Sequence, residues 1–248
     1  MSDVLVHVYG VVASTAELPD GLTGRLDKPV RRIVEDDLAV LVSDVDEEAR
    51  VRRADLLAHA HLLEAVAAQT TVIPSRFGVL LPDDDTVRRE LLLQRGEELR
   101  ALLQAFDGCV QVTVHASYDE DAALREVLGR DPRLAALRDS TDLTDTAGQV
   151  RLGEAVGGAL AALREEAASM VIESLRPHAV AASLNEVRGA YDVVSVALLV
   201  RREDRPQLDG AVGDLDREAA GRMTLRYVGP QPPYAFLDRV DTTERSWA

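Results

Sequence analysis

The most informative stretch of this chain is residues 70–81, which read TTVIPSRFGVLL. A short apolar run leads into Pro74, is interrupted by the letters SRFG, and then resumes as Val-Leu-Leu. Apolar residues on both sides of the interruption predict a buried strand. An unpaired charge inside such a strand is costly, so we expect Arg76 to have a specific partner.

Two interpretations of Arg76 follow from this expectation. In the first, Arg76 forms an internal ion pair with an acidic residue of a neighbouring helix, either Glu64 or Glu90. In the second, Arg76 lies at the lip of a binding groove in which Phe77 is an apolar anchor. The first arrangement is the more ordinary one, and the second makes the stretch a candidate partner-binding site.

The residues that precede and follow this stretch predict a mixed α/β domain over residues 1–107. Alternation over Val4–Val12 predicts a strand, and Gly10 inside it indicates a bulge or the close approach of another backbone. Apolar residues at helical spacing predict a helix over 51–69. A second helix is predicted over 86–106, with the acidic residues 83–85 at its start and a glycine after its end.

The second half of the chain predicts a domain of another kind over residues 108–229. From Val110 onward the periodicities change in the order strand, helix, strand, strand, helix, strand. This order is typical of a ferredoxin-like βαββαβ domain. The proline-rich residues after Gly229 then predict an extended C-terminal tail, 230–248. The expected fold class is therefore α+β with two domains.

Composition and charge exclude several classes of function. The 248 residues include 28 basic and 43 acidic ones, which gives a formal net charge of −15. Such a chain is a poor general partner for nucleic acid or an anionic membrane. The only cysteine, Cys109, excludes an intramolecular disulfide. No apolar run reaches the ~18 residues of a membrane span, so we expect a cytoplasmic protein.

The sequence contains no recognisable catalytic, cofactor or metal motif. His59 and His61 are two residues apart on a predicted helix, so they face different sides and make a poor metal pair. No Gly-x-Ser-x-Gly nucleophile motif and no phosphate-binding loop is present. We therefore expect no catalytic residues, no metal and no cofactor, and we expect that the chain is not an enzyme.

The start of the tail is a second candidate for partner binding. Residues 229–236 read GPQPPYAF, in which Pro233, Tyr234 and Phe236 combine rigid backbone with aromatic side chains. Such a segment can fix the tail to the body of the protein, or it can dock to a partner at low entropic cost. The two roles are compatible.

Several short stretches, in the same order along the chain, resemble the gas vesicle protein GvpF/GvpL family. Residues 59–64, with their two histidines, lead into VIPSRFG at 72–78, which is similar to the family's helix histidine followed by a Leu-Pro-x-Arg-Phe-Gly-like strand. Ile73 replaces the usual leucine, and we assign the family histidine to His61. Further similar stretches are VYGVV at 8–12, LAVLVS at 38–43, RLGE at 151–154 and the tail segment 229–236.

The resemblance implies a two-domain protein with a ferredoxin-like C-terminal half and a non-enzymatic role in gas vesicle formation. Family membership implies an accessory or minor vesicle protein that binds the small hydrophobic shell protein and other accessory proteins. It also implies a location in the cytoplasm and at the gas vesicle. We therefore expect partner contacts through Arg76, Phe77, Pro233, Tyr234 and Phe236.

Two alternatives remain at the level of the sequence. One is an enzyme with a cryptic site in which Arg76, His61 and Glu64 form an anion-binding or acid/base cluster; a deep pocket containing all three would favour it. The other is a regulatory ferredoxin-like protein that binds a small ligand, which would raise its thermal stability.

Overall fold

The computed structural model describes residues 4–46, 50–142 and 144–239. The chain divides into two compact units. The first comprises the chain up to Val112, residues 199–202, and the chain from Gly229 onward. The second comprises residues 113–198 and 203–228. The domain boundaries expected from the sequence remain predictions.

The first unit contains an antiparallel sheet whose strand order is β2-β3-β1-β4, with β5 also paired to β1. The strands are β1 (Val4–Ala13), β2 (Arg31–Glu35), β3 (Leu38–Asp46), β4 (Ile73–Pro74) and β5 (Leu80–Leu81). The prediction of one continuous strand over 70–81 is wrong. The SRFG interruption forms a turn, and the two short strands on either side of it both pair with β1.

Gly10 of β1 has both of the features expected from the sequence. The register between β1 and β3 shifts between Val8 and Gly10, as it does at a β-bulge. A Cβ atom on Gly10 would lie only 2.6 Å from the carbonyl oxygen of Ile73. Glycine therefore allows β4 to approach β1 at the bulge.

The helices of the first unit are α1 (Arg53–Gln69), α2 (Asp84–Val87) and α3 (Gly96–Ala105), with a π-helical stretch at Arg88–Leu93 after α2. The expected single helix over 86–106 is therefore interrupted. The Asp83 side chain accepts a hydrogen bond from the backbone N–H of Thr86 and caps α2, as the acidic start predicts. Apolar side chains of α1 pack on those of the sheet, and this cluster includes Tyr9, Val12, Leu41, Leu63 and Val66.

The remaining chain alternates between the strands of a second sheet and the helices of the second unit. Strand β6 (Cys109–Tyr118) is followed by α4 (Glu120–Arg130), α5 (Pro132–Ser140) and α6 (Thr146–Leu175). Then come β7 (Ala181–Asn185), β8 (Asp192–Arg201), α7 (Arg205–Ala219) and β9 (Met223–Gln231). The strand order is β7-β8-β6-β9. Helices and antiparallel sheets in succession confirm the expected α+β class.

The described part of the C-terminal tail is extended only at its start, where Pro230 and Gln231 are the last residues of β9. After β9, residues Tyr234–Arg239 form a 3-10 helix, and the remainder of the predicted tail, 240–248, lies outside the described residues. Among the helices that the structure describes, none combines the length and the apolar composition needed to cross a membrane.

Candidate partner-binding site

Ser75 holds the turn of residues 75–78 against the bulge of β1. Its Oγ lies 2.7 Å from the carbonyl oxygen of Val8 and 3.0 Å from that of Tyr9. Its backbone N–H donates to the same Tyr9 oxygen at 2.8 Å, and Val8 donates from its N–H to Val79 at 3.0 Å. The bulge exposes these carbonyl groups of β1, and the hydroxyl and N–H of Ser75 satisfy them.

Phe77 turns inward from this segment, towards two buried histidines. Its ring centroid lies 5.5 Å from those of both His7 and His59. The ring is half-buried, and its edge-to-face contact with His59 is a favourable arrangement for aromatic groups. Gly78, with φ at +93°, reverses the chain immediately afterwards, in the left-handed region that favours glycine.

His7 and His59 form a neutral hydrogen-bonded pair whose tautomers follow from their partners. His59 Nε2 lies 3.2 Å from the carbonyl oxygen of Ser75, which can only accept, so Nε2 carries the proton. His59 Nδ1 therefore accepts from His7 Nε2–H at 3.1 Å. Burial, together with the charges of His59 and Arg25, lowers the pKa of His7 to about 4. Burial also lowers the pKa of His59.

A second set of buried polar groups fixes Tyr9 beside these histidines. The backbone N–H of Arg25 donates to the Tyr9 hydroxyl at 2.7 Å, and that hydroxyl forms a hydrogen bond with the hydroxyl of Ser43 at 2.7 Å. The Arg25 guanidinium lies 3.5 Å from the carboxylate of Asp55, and both side chains are almost fully buried. These groups bond chiefly to one another, although the buried His7 Nδ1 has no hydrogen-bond partner among the described residues, and we interpret the arrangement as structural.

Arg76 is the exposed residue of this segment. Its neighbours Ser75 and Phe77 both contact His59, which places Arg76 beside the middle of α1, but its own side chain points to solvent. It forms no salt bridge with any residue that the structure describes. The expected internal ion pair with Glu64 or Glu90 is therefore wrong, because the turn brings position 76 to the surface while Phe77 occupies the inward position.

The acid/base cluster of the enzyme alternative is not assembled among the described residues. His61 and Arg76 are exposed, and Glu64 is half-buried. The histidine that contacts the SRFG segment is His59, while the assignment of the family histidine to His61 remains a prediction. Helical spacing carried the signal, because His59 lies four and seven residues before Leu63 and Val66, which are buried on the same face.

The described part of the tail is fixed to the first unit. Pro233 and Phe236 are buried, and Phe236 is only 2% exposed. The backbone N–H of Ala235 donates to Gln111 Oε1 at 2.9 Å. Tyr234 remains 41% exposed, and burial of part of its ring and the charge of Glu64 on α1 raise its pKa. Partner contacts through these residues remain a prediction; Tyr234 is the one of the three that reaches solvent.

The exposed side of α1 is unusually apolar, and we call it the α1 surface. Leu57 is 43% exposed. By helical spacing, the other exposed residues on the same side of the helix are Ala54, His61, Ala65 and Ala68. Leu56 is also exposed but lies on another side of α1. The turn that contains Arg76 contacts His59 on the buried side of α1, and the charge of Glu64 acts on Tyr234.

Two other features of the described residues concern the binding of metals and small ligands. No group of three or more His, Cys, Asp or Glu side chains among them is arranged to hold a metal ion. An open cleft of about 320 Å³ in the second unit is lined by Pro177, His178, Ala179, Val180, Asp204 and Gln207. It contains none of the site residues predicted from the sequence.

Known proteins resemble this chain over nearly its whole length. Gas vesicle protein F of Streptomyces sp. (strain CB03234) is 34% identical over 240 residues, which cover 94% of this chain and 99% of that protein. Gas vesicle protein L2 of Halobacterium salinarum is 26% identical over 273 residues, which cover 98% and 94% of the two chains.

Solved structures share the fold at lower sequence identity. The crystal structure of the gas vesicle protein GvpF from Anabaena sp. PCC7120 superposes with a TM-score of 0.82 at 23% identity, and covers 96% of this chain and 98% of that one. GvpF from Microcystis aeruginosa superposes with a TM-score of 0.76 at 22% identity. The family model described as gas vesicle synthesis protein GvpL/GvpF matches residues 5–238. The chain therefore belongs to the GvpL/GvpF family of gas vesicle synthesis proteins.

Proposed function

We propose that this chain acts in gas vesicle formation as an accessory protein that binds the small hydrophobic shell protein and other accessory proteins at the growing vesicle. The role in gas vesicle formation follows from the family. The observation that carries the finer proposal is the α1 surface, an exposed apolar area on a chain with a net charge of −15.

The physical need for such a partner follows from the task of the shell. A protein that builds a wall excluding water from its inner side must expose apolar area before it assembles, and exposed apolar area aggregates. An apolar patch on a strongly acidic carrier covers that area, while the net charge keeps the complex dispersed by repulsion.

We further propose that the chain works by binding and not by catalysis. The buried polar groups near the SRFG segment bond chiefly to one another, and burial favours the neutral form of both histidines. The candidates Arg76, His61 and Tyr234 are exposed, and none of them lines the open cleft of the second unit. This pattern favours recognition of another polypeptide.

We propose a ferredoxin-like topology for the sheet formed by β6 to β9. The succession βαββαβ, with α4 to α6 in the position of the first helix, supports this proposal. So does the strand order β7-β8-β6-β9, in which the first and third strands are central. An experimental structure with another strand order would contradict it.

The test is the solubility of the shell protein encoded with this chain. The shell protein is produced alone, with this chain, and with an unrelated acidic protein of similar size and charge. We expect this chain alone to increase the soluble fraction of the shell protein and to copurify with it. Equal solubility in all three cases, without copurification, would contradict the proposal.

A further inference from the structure

Strand β7 lies at one end of the second sheet and has little protection against pairing with a further strand. It pairs with β8 on one side, and no other strand that the structure describes pairs with its other side. Its sequence, AASLN, contains neither a charged residue nor a proline. Native proteins place such residues on edge strands, because the backbone groups of an edge otherwise recruit another strand. Of the usual protective features, β7 has only its short length.

The other strands that end the two strand orders carry the protection that β7 lacks. Charged residues or prolines occur in each of them, namely Arg31, Arg32 and Glu35 in β2, Pro74 in β4, and Arg226 and Pro230 in β9. Strand β7 is therefore the exception among these four end strands, and it is the edge at which another strand can be added.

Two apolar side chains are exposed at the ends of β7. Val180, immediately before the strand, is 53% exposed, and Leu184 within it is 65% exposed. They are four residues apart, so in an extended segment both side chains point to the same face of the sheet. Cross-strand pairs of apolar side chains stabilise a sheet, so both residues would gain from a partner strand beside β7.

We propose that β7 is the interface for a second copy of this chain, which adds its own β7 in the antiparallel direction. Ala182 lies opposite the partner's Ala182, and Val180 of each copy packs on Leu184 of the other. The pairing has two-fold symmetry, which is the commonest symmetry of homo-oligomers. This proposal goes beyond the proposed function and does not depend on it.

The sequence around β7 is complementary to itself in this register. A shift by two residues would place Val180 opposite the partner's Glu186, or Leu184 opposite the partner's His178, so an apolar side chain would face a polar one. The proposed register instead pairs the two apolar residues and brings Glu186 towards the partner's His178. It opposes no like charges between positions 178 and 186, which favours a second copy as the occupant.

The expected dimer is weak. A ladder of five residues buries less surface than the ~1,200–2,000 Å² of a stable interface. Glu186 also forms an exposed ion pair with Arg188 of its own chain, so its contribution to the dimer is small. Each copy has a net charge of −15, and salt screens the repulsion between copies. We therefore expect a dissociation constant of about 10–100 µM that falls as the salt concentration rises.

Analytical ultracentrifugation of the full chain at about 1–300 µM measures this association. Val180→Glu and Leu184→Lys each place a charge opposite an apolar side chain of the partner, and each should weaken association at least about tenfold. The double variant V180E/L184K pairs Glu with Lys at both ends of the ladder, so it should regain most of the lost association. Recovery in the double variant is specific to the proposed register.

Matched variants control for the added charges. Leu93 is 62% exposed and Val34, on the charged edge strand β2, is 46% exposed, so Leu93→Glu and Val34→Lys should leave association unchanged. Thermal unfolding of each variant confirms that it is folded. A monomer at every concentration, association that the single variants leave undiminished, or a double variant that does not recover would overturn the proposal.

One further outcome separates the dimer from partner binding. If the wild-type chain stays monomeric while Leu184→Lys abolishes copurification of the shell protein, β7 binds that protein and the dimer proposal is overturned. If the dimer forms and the shell protein still copurifies with Leu184→Lys, the dimer proposal stands and the shell protein uses another surface.

Discussion

At the scale of single residues, the buried pair His7–His59 makes the stability of the first unit depend on pH. The pKa of His7 is about 4 in the folded chain and 6.5 in an unfolded one. Between these values the unfolded chain binds more protons, so the free energy of unfolding falls as the pH falls. The full contribution is present above pH 6.5, and about 3 kcal/mol is lost by pH 4.

Denaturant unfolding measured across pH 4 to 7 tests this prediction. His7→Gln keeps a donor near His59 Nδ1 but removes the titration, so the slope of unfolding free energy against pH should become shallower. The exposed His61 is the matched control, and His61→Gln should retain the wild-type slope. Equal slopes for all three proteins would show that His7 does not titrate as its burial requires.

Gly24 is a second single position with a specific physical role. A Cβ atom there would lie 1.9 Å from the Tyr9 hydroxyl oxygen, although the backbone at Gly24, with φ at −114°, suits any residue. Gly24→Ala therefore displaces Tyr9 or the loop and disturbs the hydrogen bonds to Ser43 and Arg25. We expect a loss of about 2–4 kcal/mol in unfolding free energy.

Gly157 is the contrasting position when the unfolding free energies of the glycine variants are compared. It lies within α6 with nothing within 4 Å of a Cβ position. Gly157→Ala should stabilise the chain by about 0.5–1 kcal/mol, because alanine is the better helix former. Equal changes in unfolding free energy for Gly24→Ala and Gly157→Ala would contradict the close approach of position 24 to Tyr9.

At the scale of elements, two adjacent residues of the SRFG turn have different roles: Phe77 packs against the interior, and Arg76 lies at the surface. Phe77→Ala removes a half-buried ring from His7 and His59, and should cost about 1–3 kcal/mol of unfolding free energy. Arg76→Ala removes an exposed side chain and should change that free energy by less than about 0.5 kcal/mol. Thermal or denaturant unfolding of both variants measures the contrast, and comparable losses would contradict it.

Elements with a strong period were predictable from the sequence, and the departures have physical causes. The alternation of β1 and the helical spacing of α1 predicted elements within a few residues of those observed. The stretch 70–81 was expected to be one strand, because local composition does not reveal that β1 bulges at Gly10 and pairs with two short strands. The prediction of a single helix over 86–106 is wrong for the same kind of reason, because local composition does not reveal the π-helical stretch at Arg88–Leu93.

The sequence singled out the SRFG stretch as a candidate site but did not predict which of its side chains are buried. Arg76 was expected inside in the first of two interpretations, and it lies at the surface. Which residue of a turn points inward depends on contacts with His7 and His59, which are remote in sequence. The buried network of Tyr9, Arg25 and Asp55 was missed because its members come from three separate segments.

At the scale of the whole molecule, the chain returns to its first unit after completing its second. The segment from Gly229 onward belongs to the first unit with the chain up to Val112, so this unit is closed by residues from both ends of the sequence. A fragment of residues 1–107 lacks β6 and the tail. The stability of this fold therefore depends on contacts of high sequence separation, such as Ala235 with Gln111.

Removal of the tail after Gly229 tests this closure. The truncation exposes the surface that Phe236 covers and leaves Gln111 Oε1 without the donor N–H of Ala235. We expect a loss of about 3–5 kcal/mol, which is a large share of the stability of a typical domain. Tyr234→Ala removes a partly exposed ring and should leave the unfolding free energy within about 1 kcal/mol of the wild type.

The pair of variants also determines how loss of partner binding is interpreted. If Tyr234 contacts a partner, Tyr234→Ala weakens copurification while the melting temperature stays close to that of the wild type. The truncated chain weakens copurification and lowers the melting temperature together, so it is not a clean test of docking. A truncated chain with the wild-type melting temperature would show that the tail does not close the first unit, and the buried position of Phe236 would then have no energetic consequence.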